Sequence, residues 1–176
     1  MTIIKHKFLE HKINSNTEIL IIGTFNPSTD KKEYDFFYGR PHNFLWQLLP
    51  IAFGKESLKK KLLNEKLNFI SENEIDFIDL IQEVNVEDEQ KANYEDKYID
   101  NKAKWRDVIS EIQDLKNLKK ICFTRETYSG IPQMKKRIEE VQKFCESKDI
   151  KFKRLKSPAR FPSKYKQEEW TTFFKK

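Results

Sequence analysis

The chain has 176 residues, 38% of them hydrophobic, with 34 lysines and arginines against 28 acidic residues, a formal net charge of +6, six prolines and four glycines. This composition argues for one compact domain over residues 1–176 and gives a mild bias toward anionic partners. No apolar run approaches the length of a membrane span and residues 1–12 lack the apolar core of a signal peptide, so a cytoplasmic protein is expected.

The first strong element is the uninterrupted run Ile19–Ile22, which suits a parallel strand covered on both faces. Gly23 ends it, and Asn26-Pro27 forces a turn, because the residue before a proline is driven out of the helical region. A sharp loop at the carboxyl end of a central strand is where open α/β sheets hold their ligands. The following loop packs aromatic rings around Gly39-Arg40-Pro41. Phe44, Leu45, Leu48 and Leu49 fit helical spacing and read as core, whereas Tyr38, Arg40, His42 and Asn43 sit among turn residues and are left for a site.

Between Ser57 and Asn73, Leu58, Leu62, Leu63, Leu67 and Ile70 recur at helical spacing and predict an amphipathic helix. Glu74 to Val84 reads as a second strand, ending near Leu80 and Ile81. Asp76 and Asp79 lie in it without a third ligand nearby, so a hydrogen-bonding role at the strand end is expected rather than a metal. Asn85 to Asn101 is polar and acidic and reads as an exposed, partly mobile connection. Trp105, Val108, Ile109 and Ile112 mark a helix face, and Lys119 to Thr124 a third strand. Pro132 is placed as a first-turn residue of a helix, continued by Met134, Ile138, Val141 and Cys145. Ile150 to Leu155 is a fourth strand, and a final helix runs through Trp170 and Phe173. Cys122 and Cys145 lack the paired spacing of a zinc site and are too few for a four-cysteine iron–sulfur cluster. Free buried thiols are expected, with no metal and no cofactor.

Strands alternating with helices predict an α/β fold, a three-layer α/β/α sandwich with a mostly parallel four-stranded central sheet. Right-handed crossovers would put the ends of the first and fourth strands on one edge, so that Gly23–Ser28 and Ser157–Arg160 face the same groove. Lys151 to Lys166 holds seven basic residues, Lys153, Lys156, Arg160 and Lys164 among them, and no acidic one. Such a run brackets a rigid tip and suits phosphate contact.

Gly23-Thr24-Phe25-Asn26-Pro27-Ser28 followed by Tyr38-Gly39-Arg40-Pro41-His42-Asn43-Phe44-Leu45-Trp46 resembles the uracil-DNA glycosylase superfamily, nearest its mismatch-specific and hypoxanthine-DNA branches. In the mismatch-specific branch the first loop reads glycine, an apolar residue, asparagine, proline, and Thr24-Phe25 stands where one residue is usual. In the hypoxanthine branch catalysis rests on the asparagine of a proline-X-asparagine-X-X-tryptophan segment, here Asn43. The family's last motif, a serine-proline loop after the final strand, is matched by Ser157-Pro158-Ala159-Arg160. The histidine of the classical branch is absent, with Lys156 near its place. The family's aspartate in the second strand, which organises the loops, corresponds to Asp79.

The resemblance implies a monomeric, cofactor-free enzyme that acts on DNA containing a damaged base. Asn26 and Asn43 share the catalytic role; Gly23, Thr24, Phe25, Tyr38 and His42 form the base pocket, with Phe25 or Tyr38 stacking on the flipped base. Arg40, Lys153, Lys156, Ser157, Pro158, Arg160 and Lys164 form the DNA contact. An asparagine amide orders water through its oxygen and donates through its nitrogen, but it is not a strong base, so the target is expected to be a base that already leaves readily, uracil or hypoxanthine. No lysine precedes Lys31 in the first loop, so no Schiff-base intermediate is expected. Two other readings compete. Gly23–Pro27 also looks like the opening of a nucleotidyltransferase signature, although no His-X-Gly-His pair follows, and a non-catalytic nucleic-acid-binding module would show the same basic run.

Overall fold

The computed structural model describes residues 1–28 and 34–175, so Lys31 lies outside the described residues. The sheet grows from β2 (Ile19–Gly23), in which every residue is buried. Leu20 and Ile22 enter one hydrophobic cluster and Ile19 and Ile21 the other, as a strand with both faces covered requires. Each of these fully enclosed aliphatic side chains stabilises the fold by about 1.5–3 kcal/mol. On one side β2 pairs in parallel with β3 (Ile75–Asp79), setting Gly23 opposite Asp79. On the other it pairs with β6 (Lys120–Phe123), and β7 (Lys151–Arg154) follows at the edge, also parallel. The order β3-β2-β6-β7 brings all four carboxyl ends to one rim.

Helices cover both faces. α1 (Leu45–Ala52), α2 (Leu63–Glu72) and α6 (Lys164–Phe174) close one side through Trp46, Leu48, Leu49, Phe69, Trp170 and Phe173. α4 (Val108–Ile112) and α5 (Pro132–Ser147) close the other through Ile112, Met134, Ile138, Val141 and Cys145. The molecule is the expected α/β/α sandwich with a four-stranded parallel sheet. No helix among the described residues is long and apolar enough to cross a membrane. Cys122 and Cys145 are buried and unpaired, and burial pushes the Cys145 thiol up to about 12.

Four local expectations are corrected. The strand read as one unit over 74–84 is two: after Asp79 the chain leaves the parallel sheet, and β4 (Ile81–Val86) pairs antiparallel with β1 (Thr2–Lys5) and with β5 (Ala103–Trp105) in a second, three-stranded sheet. β1 is some eighty positions from its partner, a pairing that local alternation cannot reveal. Trp105 therefore belongs to a strand, and α4 starts at Val108, where Asp107 accepts from the Ser110 N–H at 3.2 Å. The amphipathic helix starts at Leu63, not near Ser57. Leu62 is exposed, and its N–H donates to the Glu65 carboxylate at 3.0 Å in a helix-start bond that leaves Leu58 outside.

The acidic connection over 85–101 is anchored. It holds the end of β4 and α3 (Asp96–Ile99), buries Ile99 and Asp100, and caps α5 by Asp100 accepting from the Gln133 and Met134 N–H groups at 2.9 and 2.8 Å. The expectation of a central first strand holds: β2 has a neighbour on each side. It lies inside the sheet, and its loop meets the tip after β7 because all the strands are parallel.

Candidate active site

The rim of the sheet encloses a cavity of about 250 Å³. The loop after β2 supplies Thr24, Phe25 and Asn26, the aromatic loop Tyr38, Arg40 and Asn43, and the end of β3 Asp79. Thr124 and Arg125 come from the end of β6, Tyr94 and Asp96 from the anchored connection, and Ser157–Ala159 from the tip. The loops Gly23–Ser28 and Ser157–Arg160, expected to share a groove, both line this cavity, and the aromatic loop is fastened to the second of them. The Phe44 N–H donates to the Pro158 carbonyl, the Arg160 N–H to the His42 carbonyl, both at 2.8 Å, and Asn43 forms an isolated bridge with Ala159.

Asn26 is held in a buried network. Its side-chain Nδ2 donates to Asp79 Oδ2 at 2.6 Å, and the same oxygen lies 2.8 Å from His6 Nε2. The Asn26 backbone carbonyl accepts from the Lys7 N–H at 2.7 Å, so the segment after β1 braces the loop. Asp79 Oδ1 is buried without a partner among the described residues, an arrangement that costs about 1–3 kcal/mol where no water or ligand satisfies it. A Cβ on Gly23 would lie 2.3 Å from that oxygen and 2.6 Å from the Tyr38 hydroxyl. Gly23 therefore lies beneath the wall, where only a hydrogen fits.

Tyr38 has a left-handed backbone (φ 57°), and its hydroxyl is 3.0 Å from Thr124 Oγ1. Burial, reinforced by the charge of Asp79, raises its pKa well above the ordinary phenol value and keeps it neutral. Asp96 pairs with Arg125; burial raises its carboxyl pKa and Arg125 opposes the shift.

Asn43 behaves differently. Its Oδ1 accepts from the Leu45 N–H at 2.9 Å, at the start of α1. Arg40 stacks its guanidinium over Tyr34 and Tyr94, 5.8 and 5.5 Å from the ring centres. It also borders a wider groove of about 1350 Å³, together with His42, Asn43, Lys5, Lys91 and Arg160.

The tip is rigid. Lys166 Nζ donates to the Ala159 and Phe161 carbonyls at 2.9 and 2.8 Å, and Arg160 is exposed in a left-handed conformation with φ 75°. Phe25 reaches the cavity but is 8% exposed and packs on His6 and Tyr94.

The remaining expected contacts are dispersed. Lys156 borders only an adjoining groove, its Nζ 3.4 Å from Glu126 and 3.7 Å from Glu169. Lys153 faces Glu169 at 3.6 Å and Lys164 faces Glu168 at 3.7 Å, and neither lines the cavity. Asp76 accepts from His11 Nε2 at 2.6 Å and the Asn14 N–H at 2.8 Å, tying down the N-terminal segment. Among the described residues no three His, Cys, Asp or Glu side chains gather as a metal site.

Sequence reasoning passed over His6, Tyr94, Asp96, Thr124 and Arg125. Thr124 and Arg125 directly follow the third predicted strand, and the rule that places ligands at strand carboxyl ends would have found them. His6, Tyr94 and Asp96 belong to segments that reach the site only through the second sheet and its connection.

No family model and no curated protein matches the chain. Its structure is similar to the solution NMR structure of a "putative Uracil DNA glycosylase" from Methanosarcina acetivorans, with 26% identity over 92% of this chain and 91% of that one and a TM-score of 0.62. This likeness supports the uracil-DNA glycosylase superfamily without separating its branches.

Proposed function

We propose that residues 1–176 form a monofunctional DNA glycosylase of the uracil-DNA glycosylase superfamily, nearest the mismatch-specific and hypoxanthine-DNA branches. It hydrolyses the N-glycosidic bond of uracil or hypoxanthine in DNA, acting as a cytoplasmic monomer without cofactor. The observation that carries this reading is the state of Asn26. Its N–H is committed to Asp79 at 2.6 Å while its carbonyl oxygen accepts no bond among the described residues, at the wall of a cavity at the strand ends.

Cleavage builds positive charge on the sugar and negative charge on the leaving base. The Asn26 carbonyl orders the attacking water. The buried Asp79 carboxylate, behind it, holds the amide nitrogen. Asn43, whose oxygen is taken by Leu45, presents its N–H₂ to a carbonyl oxygen of the departing base. Tyr94, Phe25 and Tyr38 enclose the flipped base and exclude bulk water. Arg40, His42, Ser157, Pro158 and Arg160 contact the DNA strand around it. Gly23 and Thr24 shape the pocket floor.

The test offers oligonucleotides bearing uracil, hypoxanthine or xanthine, single- and double-stranded, followed by alkali to cut abasic sites. Excision is expected on at least one, with no borohydride-trapped adduct; no cut product on any of them would defeat the proposal. A non-catalytic binding module would keep its DNA affinity and lose nothing in Asn26→Ala.

A further inference from the structure

His6 lies just beyond β1, in none of the segments that resemble a known motif, and its side chain is fully enclosed. Its two ring nitrogens are both engaged. Nδ1 accepts from the Phe8 backbone N–H at 3.0 Å, so the proton of the neutral ring is on Nε2, which donates to Asp79 Oδ2 at 2.8 Å. Phe8, Phe25 and Phe37 pack on the ring, with centroids 6.1, 6.0 and 5.8 Å away, and fix its plane.

Asp79 Oδ2 thus receives two donors, His6 and Asn26, from two segments that pair with each other through the His6–Pro27 bridge. A carboxylate accepting only the Asn26 bond could rotate toward the cavity, where Oδ1 has no partner, and would carry the amide with it. The His6 bond removes that freedom.

We infer that His6 is a positioning residue: through Asp79 it sets the orientation of the Asn26 amide, and so the direction in which the Asn26 carbonyl faces the attacking water. The inference rests on the proposed glycosylase reading for its consequence, but the hydrogen-bond chain from Phe8 to His6 to Asp79 to Asn26 stands apart from that reading.

The experiment compares His6→Phe, which keeps a ring of similar shape but no donor, with His6→Gln, whose amide nitrogen can donate from near the place of Nε2. Both are made in the parent and in the Asn26→Ala background. Single-turnover excision is normalised to the folded fraction, and DNA affinity is measured separately. His6→Phe is expected to slow excision about tenfold with affinity unchanged, His6→Gln to recover most of the loss, and His6→Phe to cost less than about twofold once Asn26 is alanine, because no amide remains to hold. A merely structural histidine would give the same loss in both backgrounds, and that result, or a failure of His6→Gln to recover, would overturn the inference.

NMR of the Asn26 side-chain amide gives a readout independent of activity. Its protons are expected to exchange slowly in the parent and markedly faster in His6→Phe, and unchanged exchange would overturn the inference even in a chain that excises nothing. Loss of excision in the parent with the amide behaviour as expected would instead count against the glycosylase reading alone.

Discussion

Asn26 and Asn43 border one cavity and present opposite ends of the same functional group. The neighbour of Asn26 is a carboxylate, which only accepts, so the amide nitrogen must face Asp79 and the carbonyl is left for the cavity. The neighbour of Asn43 is a backbone N–H, which only donates, so the carbonyl faces Leu45 and the nitrogen is left over. Neither side chain can be flipped without placing like against like. One residue is thereby an acceptor for water and the other a donor for the leaving base, from identical chemistry and different surroundings.

The sharpest way to break this comparison is to exchange the Asn26 amide for other groups. Asn26→Ala should lower single-turnover excision about a hundredfold, ~2.7 kcal/mol, because the carbonyl assigned to order the water is removed. Asn26→Asp should also be slow at neutral pH, although a carboxylate is the better base, since it sets two acidic groups about as close as the 2.6 Å now spanned by the amide bond. The pair will hold a proton, raising its folded pKa above the unfolded value of about 3.9. The folded state then binds more protons, so the deficit in stability relative to the parent is smallest below about pH 4 and grows as pH rises through the folded pKa. Thermal melts across that range check it, and a constant deficit would mean that the two carboxylates do not meet.

Gly23→Ala acts on the Asn26 side only. Its Cβ would overlap Asp79 Oδ1 and the Tyr38 hydroxyl at 2.3 and 2.6 Å, and both are packed against neighbours that do not yield easily. A loss of about 1–3 kcal/mol in unfolding free energy is expected, with slower excision in the molecules that remain folded. Unchanged stability would show that the wall is soft. Asn43→Ala should cost less, about tenfold in rate, with ~1 kcal/mol of stability from the lost bond to the Leu45 N–H at the start of α1. An effect as large as that of Asn26→Ala would end the division of roles.

Legibility followed the same line. The parallel sheet was readable because β2 and β6 are short, largely apolar runs, β7 interleaves basic and apolar residues between Ile150 and Leu155, and Pro132 marked the start of α5. That Asn26 and Asn43 lie in loops was readable from Pro27 and Pro41 near them. The second sheet was not, because β1 and β4 are each unremarkable alone and gain meaning only from pairing across the chain. The polar stretch over 85–101 looked mobile because its buried residues, Val86, Ile99 and Asp100, are few and the bonds of Asp100 go to the distant start of α5. His6 was invisible for the same reason, its partner Asp79 being 73 positions away.

The basic run divides in a way that composition could not show. Two of its cations, Lys153 on β7 and Lys164 on α6, face the carboxylates of Glu169 and Glu168, while Arg160 stands exposed on the tip that is bonded to the Asn43 loop. A cation already facing a carboxylate releases fewer counterions when it meets a phosphate, because part of its charge is compensated beforehand. We therefore expect Lys153→Ala and Lys164→Ala to lower the salt slope of duplex binding by well under the ~0.9 of a full phosphate contact. Arg160 also differs in chemistry: a planar guanidinium on a rigid tip can enter the space left by a flipped base and stack on its neighbours. Arg160→Ala should leave binding to undamaged duplex nearly intact and slow excision from paired DNA more than from single strands. Equal impairment on both substrates, with a salt slope lowered by ~0.9, would make Arg160 one more phosphate contact and would separate the Asn43 loop from base extrusion.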